Sequence, residues 1–125
     1  LVDNVKQSKN VVVFLSQGYG KSPYCLVELV TAFQHHLNMI TVIVHRPRLN
    51  LFNFEEMRNV LESGRVNSLL DEKGWKVVES AGYCQQDVVD ALLAVMNVKA
   101  FPFYVDSTQR AQKAYLEDIW EGVKV

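Results

Sequence analysis

The chain has 125 residues, 49% hydrophobic and 22% charged, with only 3 prolines and 6 glycines. That is the make-up of one ordinary globular domain, and it excludes disorder, collagen-like repeats and low-complexity tracts. Thirteen basic against 14 acidic residues leave a formal net charge of -1, so no chain-wide field draws it to nucleic acid or to an anionic membrane.

Only residues 1–10 precede the first clear element, enough for the tail of one helix. Val11-Val12-Val13-Phe14-Leu15 is a continuous β-branched and aromatic run bounded by Asn10 and the Gly18-Tyr19-Gly20 turn, the pattern of a strand buried on both faces of a parallel sheet. From Ser22 the period changes. Leu26, Leu29, Val30, Phe33 and Leu37 form one apolar helical stripe, with Ser22 as N-cap and Pro23 where the first helical residue has no amide partner to lose. Ile40 to His45 reads as a second buried strand, closed by Arg46-Pro47.

Asn53 with Glu56 makes a capping box, Phe52 and Met57 occupy hydrophobic-staple positions, and Gly64 follows as a C-cap, which brackets a short helix. Residues 65–84 are ambiguous: Val66, Leu69 and Leu70 suggest a helical turn, whereas Trp75 to Val78 could be a short strand. Val88, Val89, Leu92, Val95 and Met96 define a further helix. Phe101 to Val105 is a third strand, with Pro102 near an edge or end, and Ala111, Tyr115 and Ile119 mark a last helix capped by Ser107. This alternation predicts a doubly wound α/β domain with a parallel sheet, helices on both faces and right-handed crossovers, without an internal boundary.

No apolar run approaches the ~18 to 20 residues that cross a bilayer, and the first ten residues carry no signal-peptide pattern. The expected setting is therefore cytoplasmic, in a chain on its own or as part of something larger. Cys25 and Cys84 do not sit at the spacing of a disulfide framework, so reduced thiols are expected.

Gly20-Lys21-Ser22, after a strand and before a helix, stands where a phosphate-binding loop belongs, but the motif's first glycine would fall on Leu15. The glycines then read as a turn. His35 and His36 are adjacent, so on a helix they point about 100° apart, and no further ligand stands at metal-binding spacing beside them. Cys25 as a nucleophile would need a base supplied by the fold; His45, at a strand's end, is one that the sequence does not place near it. Glu28 lies off the apolar stripe, one turn beyond Tyr24 and Cys25, on a helix that follows the carboxyl end of the first strand. A carboxylate there can hydrogen-bond sugar hydroxyls and stabilise an oxocarbenium-like centre; the alternative is an exposed early-helix glutamate favoured by the helix dipole.

The segment from Ser8 to Leu29 resembles the third strand and following helix of TIR (Toll/interleukin-1 receptor) domains. In that family an apolar strand, Leu-Ser, a loop, then Ser, any residue, an aromatic, Cys, two residues, Glu and Leu recur, matched here at Leu15, Ser16, Ser22, Tyr24, Cys25, Glu28 and Leu29. Tyr24 stands where tryptophan is commoner. The resemblance spans residues 8–33 and fades afterwards, although Phe101-Pro102-Phe103 and the helix after Ser107 are compatible with the family's last strand and helix. It implies a flavodoxin-like fold and homo- or hetero-oligomeric assembly with other TIR domains in immune and stress signalling. In some branches it also implies cleavage of the nicotinamide glycosidic bond of NAD, as substrate, by the glutamate matched here by Glu28. Ser16, Ser22, Tyr24 and Cys25 would then contact that substrate, with neither cofactor nor metal. Two strand-helix units that open TIR domains have no counterpart here, so residues 1–125 read as the C-terminal portion of a TIR-like domain. A plain flavodoxin-like domain of the response-regulator or nucleotide-binding kind is the other reading, though the acidic cluster and strand-ending aspartate that receivers require are not found.

Overall fold

A computed structural model describes residues 2–46 and 51–123. A short helix α1 (Val2–Lys6) leads into strand β1 (Asn10–Leu15), helix α2 (Pro23–Gln34) and strand β2 (Asn38–His45). Then come α3 (Phe54–Glu62), a 3-10 turn (Val66–Leu69), α4 (Glu72–Ser80), α5 (Gln85–Met96), β3 (Ala100–Tyr104) and α6 (Gln109–Glu121). The strands form one parallel sheet in the order β1-β2-β3. This is the α/β layer architecture of flavodoxin-like folds. Pro47, expected to close β2, lies outside the described residues.

The β1–β2 register runs without a bulge from Asn10 opposite Asn38 to Leu15 opposite Ile43. Because side chains alternate across a strand, one face carries Val11, Val13 and Leu15 of β1 together with Met39 and Thr41 of β2. That face meets α2 and α5: Val13 and Leu15 join Leu26, Leu29, Val30, Val88, Leu92 and Val95 in the main core, and the Thr41 hydroxyl donates to the Val95 carbonyl at 3.4 Å. The other face carries Val12 and Phe14, Ile40, Val42 and Val44, and Phe101 and Phe103. Helix α6 packs on β3 there, with Tyr115 edge-on to Phe103, so helices flank both faces.

Cover on this second face is incomplete. Ile40 and Val42 are buried, but Val12 is 40% and Phe14 59% exposed. The expectation that Val11 to Leu15 is buried on both faces is thus corrected. The strand stands at the edge of the sheet and α6 does not reach over it, so only Val13 and Leu15 are fully enclosed.

Local chemistry explains the helix limits. The Ser22 and Asn53 side chains accept from the backbone N–H groups of Cys25 and Glu56, and Phe52 and Met57 are buried in the same cluster as the staple requires. One expectation changes, and one segment left open by the sequence is resolved. The last helix is capped by Thr108, whose hydroxyl accepts from the Ala111 N–H, while Ser107 turns back to donate to the Tyr104 carbonyl. The Trp75–Val78 segment is helical, not a strand. Asp71 accepts from the Gly74 N–H at 2.7 Å and starts α4, Trp75 and Val78 share its buried side, and the Trp75 indole donates to the Asn67 carbonyl at 2.9 Å.

Candidate functional site

A groove of about 440 Å³ runs beside the free edge of β1, between that strand and α2. Its floor is Val11 to Phe14, its wall Ser22, Cys25, Glu28 and Leu29, and its upper end Ser16, Gly18 and Tyr19. The fold therefore brings together four of the five residues singled out from sequence: Ser16, Ser22, Cys25 and Glu28. Tyr24 is not among the lining residues; it is 59% exposed. Glu28 borders the side of the sheet along the β1 edge, in a groove that reaches the strand's carboxyl end at Ser16.

Each side chain is held by simple means. The Ser22 hydroxyl is engaged as N-cap, 3.4 Å from the Cys25 N. This fixes the first turn of α2, and one turn further on Glu28 projects on the flank away from the Leu26, Leu29, Val30 core stripe. The Ser16 carbonyl accepts from the Tyr19 N–H at 3.0 Å, and the Gly18 carbonyl from the Lys21 N–H at 3.1 Å. These bonds close the loop between β1 and α2 into consecutive turns, with Gly20 at φ +95° supplying the left-handed step.

Tyr19 is the site residue that sequence reasoning missed, since it registered only as the middle of a glycine turn. It lines both this groove and a second hollow of about 660 Å³ bounded by Lys21, Phe52 and Met57. Burial above all, then the nearby Cys25 and Glu28, push its phenol well above the ordinary value of 10.0. The groove thus holds a neutral phenol beside a carboxylate, a thiol and two hydroxyls. Among the described residues Glu28 makes no ion pair, and no Lys or Arg lines the groove.

Other candidates lie elsewhere. His35 and His36 are exposed at the end of α2, with His36 at φ +55°. His45 stacks on Tyr104, ring centroids 4.1 Å apart, and lines a hollow with Arg46 and Tyr115 rather than the groove. Lys21 borders the second hollow. Cys25 and Cys84 are both free thiols. Among the described residues no group of three or more His, Cys, Asp or Glu could hold a metal ion, and no helix is long and apolar enough to cross a membrane.

No family model matches the chain, and no curated protein matches it either.

Proposed function

We propose that the chain is a TIR-like signalling module that acts by contact with other TIR domains. The observation that carries this reading is the strand, loop and helix over residues 10–34, in which Leu15, Ser16, Ser22, Tyr24, Cys25, Glu28 and Leu29 occupy the positions of the TIR pattern. It is supported by apolar side chains left in solvent: Val12 and Phe14 on β1, and Leu116 and Trp120 on α6. Light scattering from micromolar to millimolar concentration, with binding measured against a panel of purified TIR domains, tests it. Self-association or a saturable complex is expected. A monomer at every concentration that binds no TIR domain refutes it.

A second reading, favoured by the grouping of Glu28 with Ser16, Ser22 and Cys25 in one groove, is NAD glycohydrolysis. In that reaction the bond between ribose C1′ and the nicotinamide nitrogen breaks and its electron pair leaves with nicotinamide. The Glu28 carboxylate stabilises the oxocarbenium-like ribose, and water adds to C1′ and releases a proton. The Ser16 and Ser22 hydroxyls line the groove beside Glu28 and would be the partners of the ribose hydroxyls. Nicotinamide release is expected from the wild type and lost in Glu28→Gln. Equal release by both removes Glu28 from the chemistry, and release by neither removes the reaction.

A further inference from the structure

We propose that the hollow between the carboxyl ends of β2 and β3 binds a purine nucleoside monophosphate, with the base against the Tyr104 and Tyr115 rings, the ribose hydroxyls on Asp106 and the phosphate on Arg46. This site is separate from the Glu28 groove and lies away from the outer edge of β1, so it depends on neither functional reading above.

The connections of the fold make the hollow. β2 leads on to α3, which packs with α5 on one face of the sheet, whereas β3 leads on to α6 on the opposite face. The two connections part at the carboxyl ends of the strands, the end at which open α/β sheets take their ligands. A space of about 630 Å³ opens there, within the roughly 300 to 1,000 Å³ of small-molecule sites. Its walls include His45 and Arg46 at the end of β2, Tyr104 with Asp106 and Ser107 at the end of β3, and Tyr115 of α6.

The wall after β3 is held in place by its own bonds. The Val105 N–H donates to the His45 carbonyl at 3.0 Å and the Ser107 N–H to the Tyr104 carbonyl at 3.3 Å, while the Gln112 side-chain amide donates to the Val105 carbonyl at 3.0 Å. The loop is thereby tied to β2 and to α6, which keeps the ordering cost of binding low. The rings are braced in the same way. His45 lies against Tyr104 with centroids 4.1 Å and planes 19° apart, and Tyr115 leans on Tyr104 at 5.4 Å and 44°. Tyr104 is still 42% exposed, so a fixed aromatic surface stands open on which a flat base can stack.

Charge defines the rest of the ligand. Arg46 and Asp106 both line the hollow and are exposed, and among the described residues neither makes an ion pair, so the two charges do not cancel each other. A guanidinium suits the geometry of phosphate, and a carboxylate at this end of a sheet accepts from ribose hydroxyls. An aryl phosphate without a sugar would leave Asp106 with no donor to accept from. A nucleoside monophosphate carries the ring, the hydroxyls and the anion in one molecule.

Isothermal titration calorimetry of the chain with AMP tests this. Saturable one-to-one binding is expected, with adenosine and inorganic phosphate each at least about tenfold weaker, since each keeps only part of the contacts. Arg46→Gln should weaken AMP at least about tenfold and leave adenosine unchanged, because only the phosphate contact is lost. Asp106→Ala should erase the preference for AMP over its 2′-deoxy counterpart. Both side chains are exposed, and circular dichroism verifies that each variant folds. Absence of saturable binding of both AMP and GMP overturns the proposal. Inorganic phosphate bound as tightly as AMP also overturns it, as that marks an anion patch only, and so does wild-type AMP affinity in both variants, which places the nucleotide on another surface.

Discussion

The hydroxyl of Thr31 is buried in the middle of α2 and joins that helix to the turn between α4 and α5. It lies 2.8 Å from the Val27 carbonyl, to which it donates, and 2.6 Å from the Tyr83 oxygen. With its single proton committed to Val27, Thr31 must accept from the Tyr83 O–H. Thr31→Val keeps the side chain's shape but leaves the half-buried phenol without its acceptor, a cost of about 1 to 2 kcal/mol. Tyr83→Phe leaves Thr31 its bond to Val27 and costs roughly 0.5 to 1.5 kcal/mol. The double variant removes both partners at once, so its cost falls short of the sum by about 1 kcal/mol, the coupling that a double-mutant cycle isolates. Urea unfolding at constant m reads these values, and for a domain of this size each kcal/mol corresponds to roughly 3 to 5 °C in Tm. Single-variant costs that simply add, within ~0.3 kcal/mol, would refute the claim that this bond ties the helix carrying Ser22, Cys25 and Glu28 to the turn at Tyr83.

Tyr19 predicts an alkaline limit to stability. Its folded value lies above the unfolded 10.0, so its contribution is fully present below pH 10 and is lost as pH rises above 10 toward the higher folded value. Above pH 10 the wild type should lose stability more steeply than Tyr19→Phe, read from urea midpoints across that range, and parallel curves would contradict it. Gly20→Ala forces a Cβ onto a residue at φ +95° with the Met57 methyl 3.0 Å away. It should cost about 1 to 2 kcal/mol. Gly18→Ala, with nothing within 4 Å, should be neutral or slightly stabilising, by less than about 1 kcal/mol. Equal effects of the two would show that the loop is not held by its left-handed step.

Much of this architecture was legible because its signals are local. Ser22-Pro23, and Asn53 with Phe52 and Met57, mark helix starts through bonds made within one turn, and the stripe from Leu26 to Phe33 is a period that no distant contact alters. What was not legible depends on partners far along the chain. Whether Val12 and Phe14 are covered is decided by the reach of α6, about a hundred residues later, so the apolar run could not reveal its open side. The Trp75–Val78 segment is ambiguous from sequence because β-branched residues favour strands; Asp71 and the indole bond to Asn67 hold it in a helix. Ser107 and Thr108 are adjacent hydroxyls with equal capping potential, and the Tyr104 carbonyl takes the first of them. Among the candidate site residues, spacing was enough to set Ser22, Cys25 and Glu28 on one helix. That Ser16 and Tyr19 complete the same groove follows from the turns of the β1–α2 loop.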